Sequence, residues 1–228
     1  MENWAAGQKP LIVAGNEYST PLNVLTNKGD LLWHPWEQVG SESKSRTGYM
    51  GFHLTAMVFL DADRDGRQDI VFGTRYNRVY AVDALSGAIK WTENVGDEAA
   101  ALLRVDDAAT GEAGVAVGTA GGDLVLLSAR GARLGALAFG RPVADLKALA
   151  IAGKGRTDIA VLFSDGCAAV VDRDLKVRAF HSGALMEKPL ALVCGQAENG
   201  VFKLNIVTSQ RIVGLEYRPH FRRATRFY

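Results

Sequence analysis

Short apolar segments separated by turn-rich segments recur along the whole chain, and sliding the sequence against itself brings them into register. Ile70-Val71-Phe72-Gly73 falls on Val115-Ala116-Val117-Gly118 and again on Ile159-Ala160-Val161-Leu162, a period of about 45 residues. In the same phase Val79 to Asp83 falls on Leu124 to Ser128 and on Ala168 to Asp172. An apolar stretch precedes each pair (Leu54 to Leu60, Ala101 to Val105, Leu146 to Ile151, Leu190 to Cys194). Another follows it (Ile89 to Trp91, Leu134 to Phe139, Val177 to Phe180). Four short strands per unit, joined by glycine-bearing turns, make the blade of an all-β propeller. Helical repeats of this length would need sustained 3.6-residue periodicity, and none is present.

The phase predicts about five units forming one domain over 1–228, near 1–53, 54–98, 99–143, 144–188 and 189–228. Matching Gly15 to Gly73 puts Ile12-Val13-Ala14 on the second strand of its unit, so the first blade is expected to be incomplete, short of its inner strand. The last unit holds enough residues for all four strands. An open ring would leave strand edges unpaired, which proteins normally cover. Three completions are expected: a longer chain of which this is an excerpt, a partner or second copy, or closure by the C-terminal segment Phe221 to Tyr228.

Composition narrows the function. The 228 residues carry 26 Lys+Arg against 25 Asp+Glu, a formal net charge of +1, which provides no field for concentrating a polyanion and argues against nucleic-acid binding. No apolar run approaches the roughly 20 residues of a membrane span. Cys167 and Cys194 form neither a disulfide framework nor a zinc cluster. With Met1 as the native start the chain is expected in the cytoplasm; as an excerpt it would be secreted or periplasmic.

One loop carries chemistry. Asp61-Ala62-Asp63-Arg64-Asp65-Gly66-Arg67-Gln68-Asp69 places carboxylates at positions 1, 3, 5 and 9 and glycine at 6 for a sharp turn. Asp61, Asp63, Asp65 and Asp69, with the backbone carbonyl of Arg67, can surround one calcium ion with hard oxygen ligands. An EF-hand would need a glutamate at position 12, where Phe72 stands inside a strand. The equivalent loops of the third and fourth units keep only Asp106 and Asp158, so a single ion is expected, bracing the loop rather than running a reaction.

The loop and its following strand, Asp61 to Gly73, resemble the FG-GAP (VCBS-type) repeat of integrin α-chain and bacterial propellers. Ala81 to Trp91 resembles the tryptophan-docking motif of pyrroloquinoline-quinone-type propellers, and Val24 to Trp33 is similar in reduced form. The resemblance implies a propeller fold, a calcium site and a Trp91 packed on the neighbouring blade; it implies no particular activity.

A search for catalytic residues finds no Gly-x-Ser-x-Gly elbow, and nothing in the sequence brings Cys167 to His181. Gly121-Gly122-Asp123 is a hairpin turn rather than a phosphate cradle. The distance from Trp33 to Trp91 is 58 residues rather than about 45, and the insertion brings His34, Trp36, Tyr49, Phe52 and His53 as a candidate surface for a protein or carbohydrate ligand, or a loop covering the ring edge. The basic and aromatic tail, Arg218 to Tyr228, is a binding patch or an edge strand blunted by charge. The expected function is a non-catalytic binding or scaffold module with one structural calcium; the alternative is a carbohydrate-active or quinone-dependent enzyme domain.

Overall fold

The computed structural model describes residues 11–15, 22–33, 53–106, 113–151, 156–183, 185, 187–198 and 200–219. Among them there is no helix, and the strands form five antiparallel sheets. The first holds β1 (Leu11–Gly15), β2 (Leu22–Thr26) and β3 (Leu31–Trp33). The second holds β4 (Leu54–Leu60), β5 (Asp69–Thr74), β6 (Arg78–Val82) and β7 (Ile89–Asn94). The third holds β8 (Ala99–Asp106), β9 (Ala113–Thr119), β10 (Asp123–Ser128) and β11 (Arg133–Ala138). The fourth holds β12 (Val143–Ile151), β13 (Arg156–Phe163), β14 (Ala168–Val171) and β15 (Val177–His181). The fifth holds β16 (Pro189–Glu198), β17 (Val201–Thr208) and β18 (Ile212–Tyr217). Within every sheet the strands lie in chain order, the meander of a blade.

The side chains explain why these sheets stack. Along β5, Ile70 and Phe72 turn toward the first blade and join Leu22, Val24, Tyr80 and Val82. The intervening Val71 turns the other way and meets Val115 and Val117 of the third blade. Both faces of the middle strands are therefore covered, and for that reason these segments are continuous apolar runs rather than alternating ones. The same arrangement recurs between the third and fourth blades around Leu124, Ile159 and Phe163, and between the fourth and fifth around Leu162, Leu204 and Ile206. Strands β4, β8, β12 and β16 pack in succession on one side of the stack, while β7 and β11 remain largely exposed on the other.

The first blade has three strands among the described residues and lacks a partner for the β1 edge, in keeping with the reading of Gly15 against Gly73. The last unit shows three strands among the described residues. Its β16 is 10 residues and β17 is 8 residues long, so the unit spends its length on an extended hairpin. The residues left for a fourth strand, and the closing segment Phe221 to Tyr228, lie outside the described residues.

Candidate functional site

The acidic loop joins β4 to β5. Asp61 curls it: its Oδ1 accepts the Asp65 amide at 3.1 Å and its Oδ2 the Gly66 amide at 2.9 Å. Gly66 turns through φ of 81°, as a glycine at the sixth position should. Asp65 Oδ1 then accepts the Arg67 amide at 2.8 Å. The result brings one ligand oxygen from each of Asp61, Asp63 and Asp65 to within 4.8 Å of one another. Three of the expected ligands therefore converge as a single hard cation requires.

Asp69 behaves differently. It is fully buried, its Oδ2 accepts the Ala62 amide at 2.9 Å, and its Oδ1 lies 2.9 Å from Lys90 Nζ on β7. The same ammonium is 2.6 Å from Asp63 Oδ2. Burial works against the charge of Lys90, but hydrogen bonds and attraction from Asp63 and Asp69 outweigh it and raise its pKa well above the ordinary lysine range. The bond from Lys90 lowers the Asp63 pKa. Burial raises that of Asp69, and the two hydrogen bonds oppose the rise; the geometry, with an ammonium touching both carboxylates, favours the ion-paired state. Sequence reasoning missed Lys90 because it lies 21 positions after Asp69 on another strand. The signal was available: where Lys90 gives way to Leu32 and Leu134 in neighbouring units, Asp69 gives way to Leu11 and Gly114.

Other buried or half-buried carboxylates are likewise bonded to a neighbouring strand or blade. Asp158, at the Asp69 position of the fourth blade, accepts the Tyr217 hydroxyl of the fifth at 2.8 Å, both groups being buried. Asp145 on β12 accepts the Leu192 amide of β16 at 2.9 Å and pairs with Lys147 at 2.8 Å. Asp172 pairs with Arg178 and accepts the Lys176 amide.

Two tryptophans clamp successive blades. Trp33 Nε1 donates to the Ala84 carbonyl at 2.9 Å, and Trp91 Nε1 to the Ala129 carbonyl at 2.8 Å. Each indole lies on a glycine of the next blade's outer turn, Gly87 and Gly131. Both have positive φ, and a Cβ on either would come to 2.6 Å or 2.5 Å from the ring. Between the third and fourth blades the pair is inverted. Gly135 stands where the tryptophan would be, and Leu175, at φ of 59°, stands on the turn and reaches within 2.7 Å of a Cβ built on Gly135.

Of the insertion residues, His34, Trp36, Tyr49 and Phe52 lie outside the described residues. His53 is 9% exposed and meets Tyr76 edge-on, with ring centroids 6.0 Å apart, so it is packed into the blade and not displayed. Cys167 is buried; burial first, then its bond with Asp165, raises the thiol pKa, the reverse of what a nucleophile needs. Between β1, β4 and β8 lies a cavity of about 660 Å³ lined by Leu11, Val13, Met57, Phe59, Leu103 and Arg104.

No protein-family model matches the chain, and no curated protein matches it. Among solved structures, BBS1N, in complex with ARL6DN, is 15% identical with a TM-score of 0.63 over 92% of this chain and 62% of its own. Saccharomyces cerevisiae Sqt1 is 11% identical with a TM-score of 0.71, covering 94% of this chain and 57% of its own. The computationally designed Ika8 is 16% identical, TM-score 0.64, covering 91% and 56%. The chain thus spans about three-fifths of the length of these neighbours. At such identities the likeness bears on architecture alone, and together with the five stacked meanders it shows a β-propeller fold.

Proposed function

We propose that this propeller is a non-catalytic module that binds protein and holds it on a rigid scaffold. The observation carrying the reading is where the carboxylates drawn out of solvent are committed: buried Asp69, Asp158 and Asp172 and half-buried Asp145 are each bonded to another strand or another blade. Chemistry of that kind holds strands within a blade together at Asp69 and Asp172, and blade 4 to blade 5 at Asp145 and Asp158. Neighbours of the same fold support a protein partner, BBS1N having been solved with ARL6DN. The test is reconstitution of a complex from this chain and a purified candidate partner. A measurable Kd with no turnover of any carbohydrate or quinone substrate is expected; turnover by the chain alone would sink the reading.

The calcium brace and the FG-GAP (VCBS-type) assignment belong to the same proposal and rest on the loop from Asp61 to Asp69. Calcium would be held by Asp61, Asp63, Asp65 and the Arg67 carbonyl, and it must take Asp63 from Lys90; Asp69 then remains with Lys90 and the Ala62 amide instead of serving as a ligand. Calcium bound only to the folded form raises the melting temperature by mass action. A melting scan in chelator and in excess calcium checks this. A rise that disappears in Asp63→Ala is expected, whereas an identical curve in both solutions removes calcium from the account.

A further inference from the structure

The outer strand of blade 3 is an edge without the features that protect its counterparts. An edge strand presents a row of main-chain donors and acceptors, and proteins usually blunt it with charge, proline or short length. Among the described outer strands, β7 carries Lys90 and Glu93, β15 carries Arg178 and His181, and β3 has only 3 residues. β11 lies at the edge of its sheet, and from Leu134 to Phe139 the chain holds neither charge nor proline. Leu134 is 65% exposed, and Ala136 and Ala138 are exposed as well. Blades 2 and 4 stand on either side, so this exposure belongs to an interior blade.

Pairing with β10 fixes which main-chain groups of β11 face outward. Phe139 N donates to the Gly122 carbonyl at 2.8 Å, toward β10. Leu137, opposite Leu124, and Gly135, opposite Leu126, follow in the same phase. Bonding alternates along an antiparallel strand, so Ala136 and Ala138 direct their N–H and C=O groups away from the sheet. An added strand would bond there.

Main chain, side-chain volume and charge each make this edge complementary to itself. An antiparallel copy of β11 that overlaps from Leu134 to Ala138 sets outward-pointing residues opposite one another only when the two-fold axis passes through Ala136. In that register Leu134 faces Ala138 and Gly135 faces Leu137, large against small on both sides of the axis. Charge follows the same axis. The Leu134 end carries exposed Arg130 and Arg133. At the other end Asp123 lies opposite Ala138, and a Cβ added to Gly121 would come to 2.5 Å from Asp97 Oδ2. Arg141, near that end, is paired with Asp165. Antiparallel pairing therefore brings the basic end of one copy beside the acidic end of the other.

We propose that β11 pairs antiparallel with β11 of a second copy of this chain, joining two 4-stranded sheets into one across a two-fold axis at Ala136. The interface is isologous, the same patch serving both copies. Ala136 exchanges main-chain bonds with Ala136 of the second copy, and Leu134 lies opposite its Ala138. One strand pair covers less than the roughly 1,200 Å² at which stable interfaces begin, so the association is weak and depends on concentration.

Sedimentation of the full chain at concentrations up to about 1 mM, the weak end of the affinity scale, reads the association. A monomer–dimer equilibrium is expected. Ala136→Lys, at an exposed position, sets like charges against each other on the axis and should weaken dimerisation about tenfold or more, as should Ala136→Asp. Mixing the two variants should restore a heterodimer, which also shows that both are folded. Oxidative cross-linking reads the register. Ala136→Cys should link to itself, because residues that exchange both bonds lie about 5.5 Å apart at Cα. Ala138→Cys should link to Leu134→Cys and not to itself. The unaltered chain, with Cys167 buried and Cys194 half-buried, supplies the background. A chain that stays monomeric at every concentration overturns the pairing while leaving the partner-binding reading standing. Dimerisation undiminished in Ala136→Lys assigns the contact to another face and also overturns it, as does a mixture of the two charged variants that fails to associate.

Discussion

Lys90 stands between two carboxylates, one buried and one half-exposed, and the consequences at this scale are electrostatic. Removing one partner of a buried pair costs roughly 3–5 kcal/mol because the other charge is left uncompensated. Lys90→Met should therefore cost about 3 kcal/mol near neutral pH, the low end because Asp69 can escape by taking up a proton. In that variant the folded-state pKa of Asp69 rises further above its unfolded value, so the cost should be greatest above the raised pKa and shrink as pH falls through it toward the unfolded value. Denaturant melts at several pH values check this; a deficit independent of pH would refute it. In the unaltered chain the lysine pKa is raised, so its contribution is complete below the unfolded lysine pKa and fades only on strongly alkaline titration through the folded value. Lys90→Met should also enlarge any calcium response, since Asp63 is then no longer held by the ammonium.

The tryptophan and the glycine turn form the junction between successive elements, and size complementarity across that junction governs it. Trp91 fills the space that the missing Cβ of Gly131 leaves, and the turn of blade 2 that receives Trp33 is held by Asp83, whose Oδ1 accepts the amides of Leu85 and Ser86. Trp91→Ala should cost about 3 kcal/mol, by the magnitudes of large-to-small substitutions at packed aromatics. The inverted pair offers a sharper test. Gly135→Trp alone should destabilise by about 1–3 kcal/mol through overpacking against Leu175. Gly135→Trp with Leu175→Gly should recover part of that loss, because the second change opens the turn and relieves a non-glycine residue at positive φ. A double-mutant cycle in thermal melts with no favourable coupling would show that the two positions do not exchange volume.

At the scale of the whole molecule the blades act as a stack in which each interface carries apolar cover and a few bonds. The Tyr217 hydroxyl on buried Asp158 ties blade 5 to blade 4. Tyr217→Phe leaves that carboxylate without the bond and should cost about 1–3 kcal/mol. Because a repeat array depends on nearest-neighbour terms, hydrogen exchange should show the loss concentrated in β16 to β18 and fading toward blade 2. Uniform loss across all five sheets would mean that the stack opens as one unit.

The sequence by itself determined the strands, their four-strand period, the incomplete first blade and the curl of the acidic loop. Each depends on residues close along the chain: alternating or continuous apolar runs, a glycine at a sharp turn, carboxylates two positions apart. The candidate surface from His34 to His53 was legible only as an insertion, and of its residues the structure places His53 as a buried side chain against Tyr76. What tertiary structure alone decided was partnership across blades. Lys90 meets Asp63 and Asp69, Tyr217 meets Asp158, and Leu175 meets Gly135 because antiparallel pairing and stacking bring distant positions within a few ångströms. A periodic sequence specifies the blade, whereas the partners of its buried charges depend on which neighbouring blade covers each face.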